Sequence, residues 1–211
     1  MRSRHKGDFV KSLPQGARTL DVGCGNNSPA IFKFWRPDLY YVGIDVGDYN
    51  QVVDPGIHAN EYVVCAPAEF SATIGRYKGQ MDAVVSSHNL EHCDDPDATL
   101  AAMVSALRPG GMLYLSFPCE ASVNFPRRGG CLNFFDDNTH QRVPSWQGTL
   151  DTLVSHGCRI EFSTKRHRPF PLWLKGLLYE PLSMVRRQTM SDGSTWALYG
   201  FESIIWAQAA R

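Results

Sequence analysis

Two glycines one residue apart, set directly behind a short apolar run, constrain this chain more than any other feature. The stretch Thr19-Leu20-Asp21-Val22-Gly23-Cys24-Gly25-Asn26-Asn27-Ser28 begins as a buried strand and breaks where a β-carbon would hold a ligand away from the backbone. That reads as a cofactor loop. A helix is expected from Asn27 to Trp35, stopped by Pro37, and strand patterns recur at Tyr40–Asp45, Glu61–Cys65, Met81–Ser86 and Met112–Phe117. Asp95-Pro96-Asp97 opens a helix whose Leu100, Met103, Val104 and Leu107 fall at i, i+3, i+4 and i+7, and Pro109-Gly110-Gly111 is expected to end it. Strands alternating with helices imply a doubly wound, mostly parallel sheet.

Beyond Pro118 the pattern changes. Residues 119–144 carry arginine, glycine and aromatic side chains without a period, which in a connection of this length points to function. Ser145 caps a helix through Ser155, with Leu150, Leu153 and Val154 expected inward and Gly157 ending it. Strands are expected at Cys158–Ser163 and Phe201–Ala207, separated by an insertion at 164–195 that holds Phe170, Leu172, Trp173, Leu174, Leu177, Leu178 and Tyr179, then Arg186-Arg187. The 211 residues suit one domain spanning 1–211. Lys plus Arg and Asp plus Glu are 21 each, so no global field draws the chain to nucleic acid. Six scattered cysteines without a CxxC pair read as reduced, packed thiols, and the charged opening stretch lacks the apolar segment of a secretory signal, so a cytoplasmic protein is expected. No apolar run approaches the ~20 residues of a membrane span.

The set Asp-x-Gly-x-Gly at Asp21 to Gly25, Gly43-Ile44-Asp45-Val46 and Leu107-Arg108-Pro109-Gly110-Gly111 resembles the class I S-adenosylmethionine-dependent methyltransferases, over about Leu20 to Pro118. The resemblance implies a Rossmann-like, seven-stranded, mostly parallel sheet with an antiparallel C-terminal hairpin at its edge. It also implies S-adenosylmethionine as cofactor. Gly23, Cys24 and Gly25 would let the backbone approach the methionine part, with Asp21 fixing the loop or meeting the amino group through water. Asp45 would accept the ribose hydroxyls, Val46 would lie against the adenine, and Ser87 and His88 would border the methyl group. Relatives often place an Asp where this chain has Ala66, so the adenine amine must be met by backbone or elsewhere. A dinucleotide fold is the rival for a glycine loop, but it wants a third glycine where Ser28 stands.

The fourth strand runs into Ser86-Ser87-His88-Asn89-Leu90-Glu91-His92, and His140 follows later. Imidazole and carboxylate are natural ligands of a divalent cation, which makes His88, Glu91, His92 and His140 the candidate metal set. Some methyltransferases of small RNAs and of the ubiquinone pathway bind metal through a similar Glu-x-x-Glu-His. Here His88 replaces the first Glu, and in many relatives Leu-Glu-His only fixes the turn. His88 and His140 are also the candidate general bases, since histidine titrates near neutrality and can take a proton from a hydroxyl as the methyl arrives.

The implied reaction is in-line methyl transfer to a small-molecule or glycan acceptor, with a hydroxyl oxygen favoured by two possible bases. Arg127 and Arg128 suit a phosphate-bearing acceptor. Residues 169–187 mix apolar bulk with cations and suit a lid, a homodimer surface or a peripheral membrane contact that meets a lipid-linked acceptor. An RNA-modifying enzyme and a non-catalytic cofactor-binding or interaction protein are the alternatives. The missing Asn/Asp-Pro-Pro-Tyr motif after the fourth strand counts against nucleic acid as substrate.

Overall fold

A computed structural model describes residues 4–48 and 51–210. Met1, Arg2 and Ser3 of the charged opening stretch lie outside the described residues. In chain order the elements are α1 (Lys6–Ser12), β1 (Arg18–Val22), α2 (Ser28–Trp35), β2 (Tyr40–Asp45), α3 (Pro55–His58), β3 (Glu61–Val64), α4 (Phe70–Gly75), β4 (Met81–Ser87), α5 (Pro96–Ala106), β5 (Leu107–Pro118), α6 (Trp146–Ser155), β6 (Arg159–Thr164), α7 (Phe170–Arg186), α8 (Ser194–Tyr199) and β7 (Glu202–Gln208). The strands form one sheet ordered β3-β2-β1-β4-β5-β7-β6. The first five are parallel, and β7 lies antiparallel between β5 and β6. This is the Rossmann-like sheet expected from the sequence.

Alternation along the strands divides the core between two faces. Leu20, Val22, Val84 and Leu113 point to one side, where α4, α5 and α6 bring Ile74, Leu100, Met103 and Leu153. Ala83, Val85 and Tyr114 point to the other, where Phe9 and Val10 of α1 and Phe32 of α2 cover them. The lead-in before β1 is therefore a packed helix. All six cysteines are free thiols, four of them buried.

Several local expectations need correction. α5 ends at Ala106, before Pro109, because the residue ahead of a proline is steered out of the helical region. Leu107 already pairs with Met81, and the Pro-Gly-Gly segment forms an irregular start to β5. Val154 points outward at 58% exposure, since the inward face of α6 is set by Thr149 and Leu153 one turn apart. The insertion between β6 and β7 is also helical, forming α7 and α8.

Candidate active site

Parallel strands deliver their carboxyl ends to one edge of the sheet, and that edge is where this topology places ligands. β7 runs the other way, so its first residue, Glu202, pairs with Pro118 at the same edge. The chain thus assembles its polar groups from both strand directions.

The glycine loop leaves β1 with Gly23 at φ +70° and Gly25 at φ +58°, both in the left-handed region. A β-carbon on Gly23 would run into the side chain of Asn89, whereas one on Gly25 would meet open space. Gly23 is thus a packing requirement and Gly25 keeps room above the backbone. Asp45 ties the loop down: Gly25 N–H donates to Oδ2 at 2.6 Å and Val46 N–H to Oδ1 at 2.7 Å. Each oxygen keeps a further lone pair for ribose hydroxyls. Val46, 40% exposed, offers an apolar surface beside it. Asp21 is buried, and its Oδ2 accepts from Ser28 Oγ at 2.5 Å and Tyr41 Oη at 2.7 Å. Burial raises its pKa, and it anchors the loop from below. Cys24 is a packed thiol pushed far up by burial. Ala66 lies exposed ahead of a short turn and offers no side-chain contact. Ser87 Oγ pairs with Ser116 Oγ at 2.9 Å across β4 and β5.

Sequence reasoning missed Gln51. Its side chain accepts from Asn27 N–H at 2.5 Å and donates to the Gly25 carbonyl at 3.1 Å, latching the far side of the loop. Its only signal is proximity to β2, which is weak.

Past β4 the chain turns sharply, and His88 takes φ +53°, a conformation in which histidine is among the more tolerated side chains. His88 Nδ1 lies 3.2 Å from Glu91 Oε1 and Nε2 lies 2.9 Å from Glu202 Oε1. Both carboxylates are acceptors, so both ring nitrogens donate and the ring is an imidazolium. Burial opposes the charge, but the bonds to Glu202 and Glu91 prevail and raise the pKa to about 10. Glu202 is held below its ordinary range by the His88 bond, against its own burial. Trp196 of α8 and Phe201 cover the ring at centroid distances of 5.2 and 5.9 Å. An imidazolium has no lone pair for a metal or for a substrate proton. The expected ligand and base roles of His88 are therefore corrected: it clamps Glu91.

The other three residues of the cluster converge. Glu91, His92 and His140 each offer a ligand atom, and these atoms lie within 4.8 Å of one another. Their hydrogen bonds fix which atoms are available. Thr139 Oγ1 has one proton and gives it to Asp137 Oδ1 at 2.6 Å, so His92 Nδ1, 3.0 Å away, donates to Thr139 and Nε2 takes no part in that pair. His140 Nδ1 faces the carbonyl of Phe134 at 2.6 Å and must also donate, while its Nε2 lies 4.0 Å from Asp137 Oδ2. Glu91 is fully buried, and its Oε2 has no partner among the described residues. Two imidazoles and one buried carboxylate are a donor set suited to a divalent cation. The polar shell around Phe134 to His140 comes from the 119–144 segment. Arg128 of that segment is spent elsewhere: its guanidinium is buried against Glu180 at 2.6 Å and also bonds Ser183. The expectation that it meets a phosphate is thus overturned, while Arg127 stays exposed.

Comparison with known proteins gives the family. A ubiquinone biosynthesis O-methyltransferase of Xanthomonas axonopodis pv. citri is 34% identical over 109 residues, covering 49% of this chain and 44% of that protein. The human mitochondrial ubiquinone biosynthesis O-methyltransferase is 25% identical over 213 residues, covering 93% of this chain and 55% of the relative. The chain spans about half the length of the curated relatives it matches. Among solved structures, an S-adenosylmethionine-dependent methyltransferase from Mesorhizobium loti superposes with a TM-score of 0.61 at 15% identity, over 95% of this chain and 96% of that one, which is a likeness of fold. Residues 3–164 match the methyltransferase-domain family, and the chain belongs to that family, in its class I S-adenosylmethionine-dependent form.

Proposed function

We propose that this chain transfers a methyl group from S-adenosylmethionine to a hydroxyl oxygen of a small molecule. The observation that carries the reading is the glycine loop closed onto Asp45, with clear space over Gly25. Asp45 would receive the ribose hydroxyls, Val46 the adenine face, and the Gly23–Gly25 backbone the methionine part. The cofactor supplies an activated sulfonium methyl, so the protein's work is alignment, exclusion of water and removal of one proton.

The oxygen assignment rests on Glu91, His92 and His140. They would hold a divalent cation, which supplies Lewis acidity that lowers the pKa of an acceptor hydroxyl. Without a cation, Nε2 of His140 would accept that proton, its Nδ1 being bonded to the Phe134 carbonyl. His88 and Glu202 keep the Glu91 carboxylate oriented in either case. The name of the ubiquinone-pathway relatives makes a small hydroxylated molecule the first acceptor class to try. Glycan hydroxyls and lipid-linked acceptors are further arms of the same screen.

Calorimetric titration with S-adenosylhomocysteine comes first, on the wild type and on Asp45→Asn, followed by methyl transfer to each acceptor class before and after chelation. Expected are binding that Asp45→Asn weakens at least about tenfold and turnover on a hydroxylated acceptor. Loss of turnover on chelation assigns the cluster to a metal; turnover that survives chelation but is lost in His140→Ala assigns His140 as base. Folded protein that does not bind S-adenosylhomocysteine overturns the reading.

A further inference from the structure

Helix α7 is built inside out. Its inward positions are small or polar: Gly176 and Ser183 are buried, and Glu180 points to Arg128. A β-carbon on Gly176 would overlap the carbonyl of Ser194, so α7 lies nearly backbone to backbone on α8. The outward positions are the apolar ones. Phe170, Leu174, Leu177, Leu178, Leu182 and Val185 recur at helical spacing with exposures from 36% to 84%. Large exposed side chains in a continuous stripe mark a surface that is covered by something else.

Charge decides what covers it. Glu180 is the one carboxylate on α7, and Arg128 neutralises it from inside. Arg166 and Arg168 precede the helix, where both donate to the Tyr199 carbonyl of α8, and Arg186 and Arg187 end it; all four are exposed and none has a carboxylate partner among the described residues. A second copy laid antiparallel would bring Arg186 and Arg187 onto the other copy's Arg166 and Arg168, and a parallel one would bring like onto like. Either pairing stacks cations with no anion between them. An anionic lipid surface satisfies the stripe and the basic end at Arg186 and Arg187 together. Seventeen residues give a helix about 25 Å long that lies in the interface, and no described helix is long and apolar enough to cross a membrane.

We propose that the outward face of α7 docks this protein on anionic bilayers, with the helix axis in the plane of the headgroups. The start of α7 borders the candidate site: Pro169 and Leu172 line a cavity together with Trp196 and Glu202, the carboxylate that holds His88.

Flotation of the full chain with vesicles of phosphatidylcholine alone, and of phosphatidylcholine mixed with phosphatidylglycerol, tests this without any methyl transfer, so its failure leaves the methyl-transfer reading untouched. Binding is expected only to the mixed vesicles. Arg186→Gln with Arg187→Asn should weaken it about thirtyfold, and Leu178→Glu at least about tenfold with an unchanged melting temperature, because that side chain is 72% exposed. No binding to the mixed vesicles overturns the proposal. So does binding that both variants retain, or a wild-type dimer in sedimentation that Leu178→Glu dissociates in the absence of lipid.

Discussion

Replacing each loop glycine by alanine separates folding from binding in a way the geometry makes quantitative. Both residues sit in the left-handed region, at φ +70° for Gly23 and +58° for Gly25. An alanine there costs about 1–2 kcal/mol in backbone conformation alone. At Gly25 nothing stands within 4 Å of the new methyl, so that cost is the whole effect on stability. At Gly23 the methyl collides with Cβ, Cγ and Oδ1 of Asn89. Forcing a group into a filled position adds about 1–3 kcal/mol, for a total of about 2–5 kcal/mol. With about 2–4 °C of melting temperature per kcal/mol in a chain of this size, Gly25→Ala should lower Tm by about 2–8 °C and Gly23→Ala by about 4–20 °C. Binding should rank the opposite way per degree of stability lost. The Gly25→Ala methyl enters the space proposed for the cofactor, so affinity for S-adenosylhomocysteine should fall at least about tenfold, or about 1.4 kcal/mol. Scanning calorimetry and titration of the two variants at a temperature where both are folded give the comparison. A Gly25→Ala variant with wild-type affinity, or a Gly23→Ala variant as stable as Gly25→Ala, would refute the assignment of roles.

Two further changes address the network behind the site. His88→Asn keeps a residue that tolerates positive φ but removes the charge. In the wild type the folded pKa of about 10 stands above the ordinary 6.5, so the stabilisation is complete below about pH 6.5 and is lost as pH rises towards 10. Glu202, held below its ordinary 4.5, loses its share as pH falls through its lowered folded pKa. Urea unfolding should therefore show wild-type stability declining between pH 7 and 10 relative to His88→Asn, and parallel profiles would refute the charged clamp. Arg128→Met strands Glu180 beside an apolar side chain. The expected cost is about 3 kcal/mol, at the lower end for a broken buried pair because Glu180 retains 17% exposure. Hydrogen exchange in α7 and α8 should rise with it, and Glu180→Gln in the same background should recover part of the loss.

The parts legible in the sequence are those whose chemistry is local. The β1 loop announces itself because strand, turn and helix start lie within ten consecutive positions, Thr19 to Ser28, and each demands a residue type of its own. Asp45 follows for the same reason, as the polar end of an apolar strand. The extent of β5 was not legible, because Pro109 and the two glycines carry a turn signal strong enough to hide that Leu107 pairs with Met81. The orientation of α7 was hidden by a different cause. Periodicity finds the apolar face of a helix but does not say whether that face meets the core. Here Gly176 fits tightly against α8 and Ser183 is buried against Arg128, and close backbone approach fixes the orientation in place of burial of leucines.

His88 shows why a motif alone could not divide the histidine cluster. From sequence, His88, Glu91, His92 and His140 are equivalent donors, and three of them lie within five residues. What separates them is the partner on each ring's second nitrogen. Thr139 and the Phe134 carbonyl each accept one hydrogen bond, from Nδ1 of His92 and of His140, so one nitrogen of each ring is left out of these bonds. Glu202 accepts from Nε2 of His88 while Glu91 faces Nδ1, so both nitrogens of that ring are engaged by carboxylates. Glu202 is 114 residues away, on the only strand antiparallel to β5 in the sheet, and no spacing rule reaches that far. The division of labour within the cluster is thus set by topology: reversing one strand delivers a carboxylate to the edge where the parallel strands end, and that carboxylate converts the first histidine of the motif from a ligand into the cation that holds Glu91 in place.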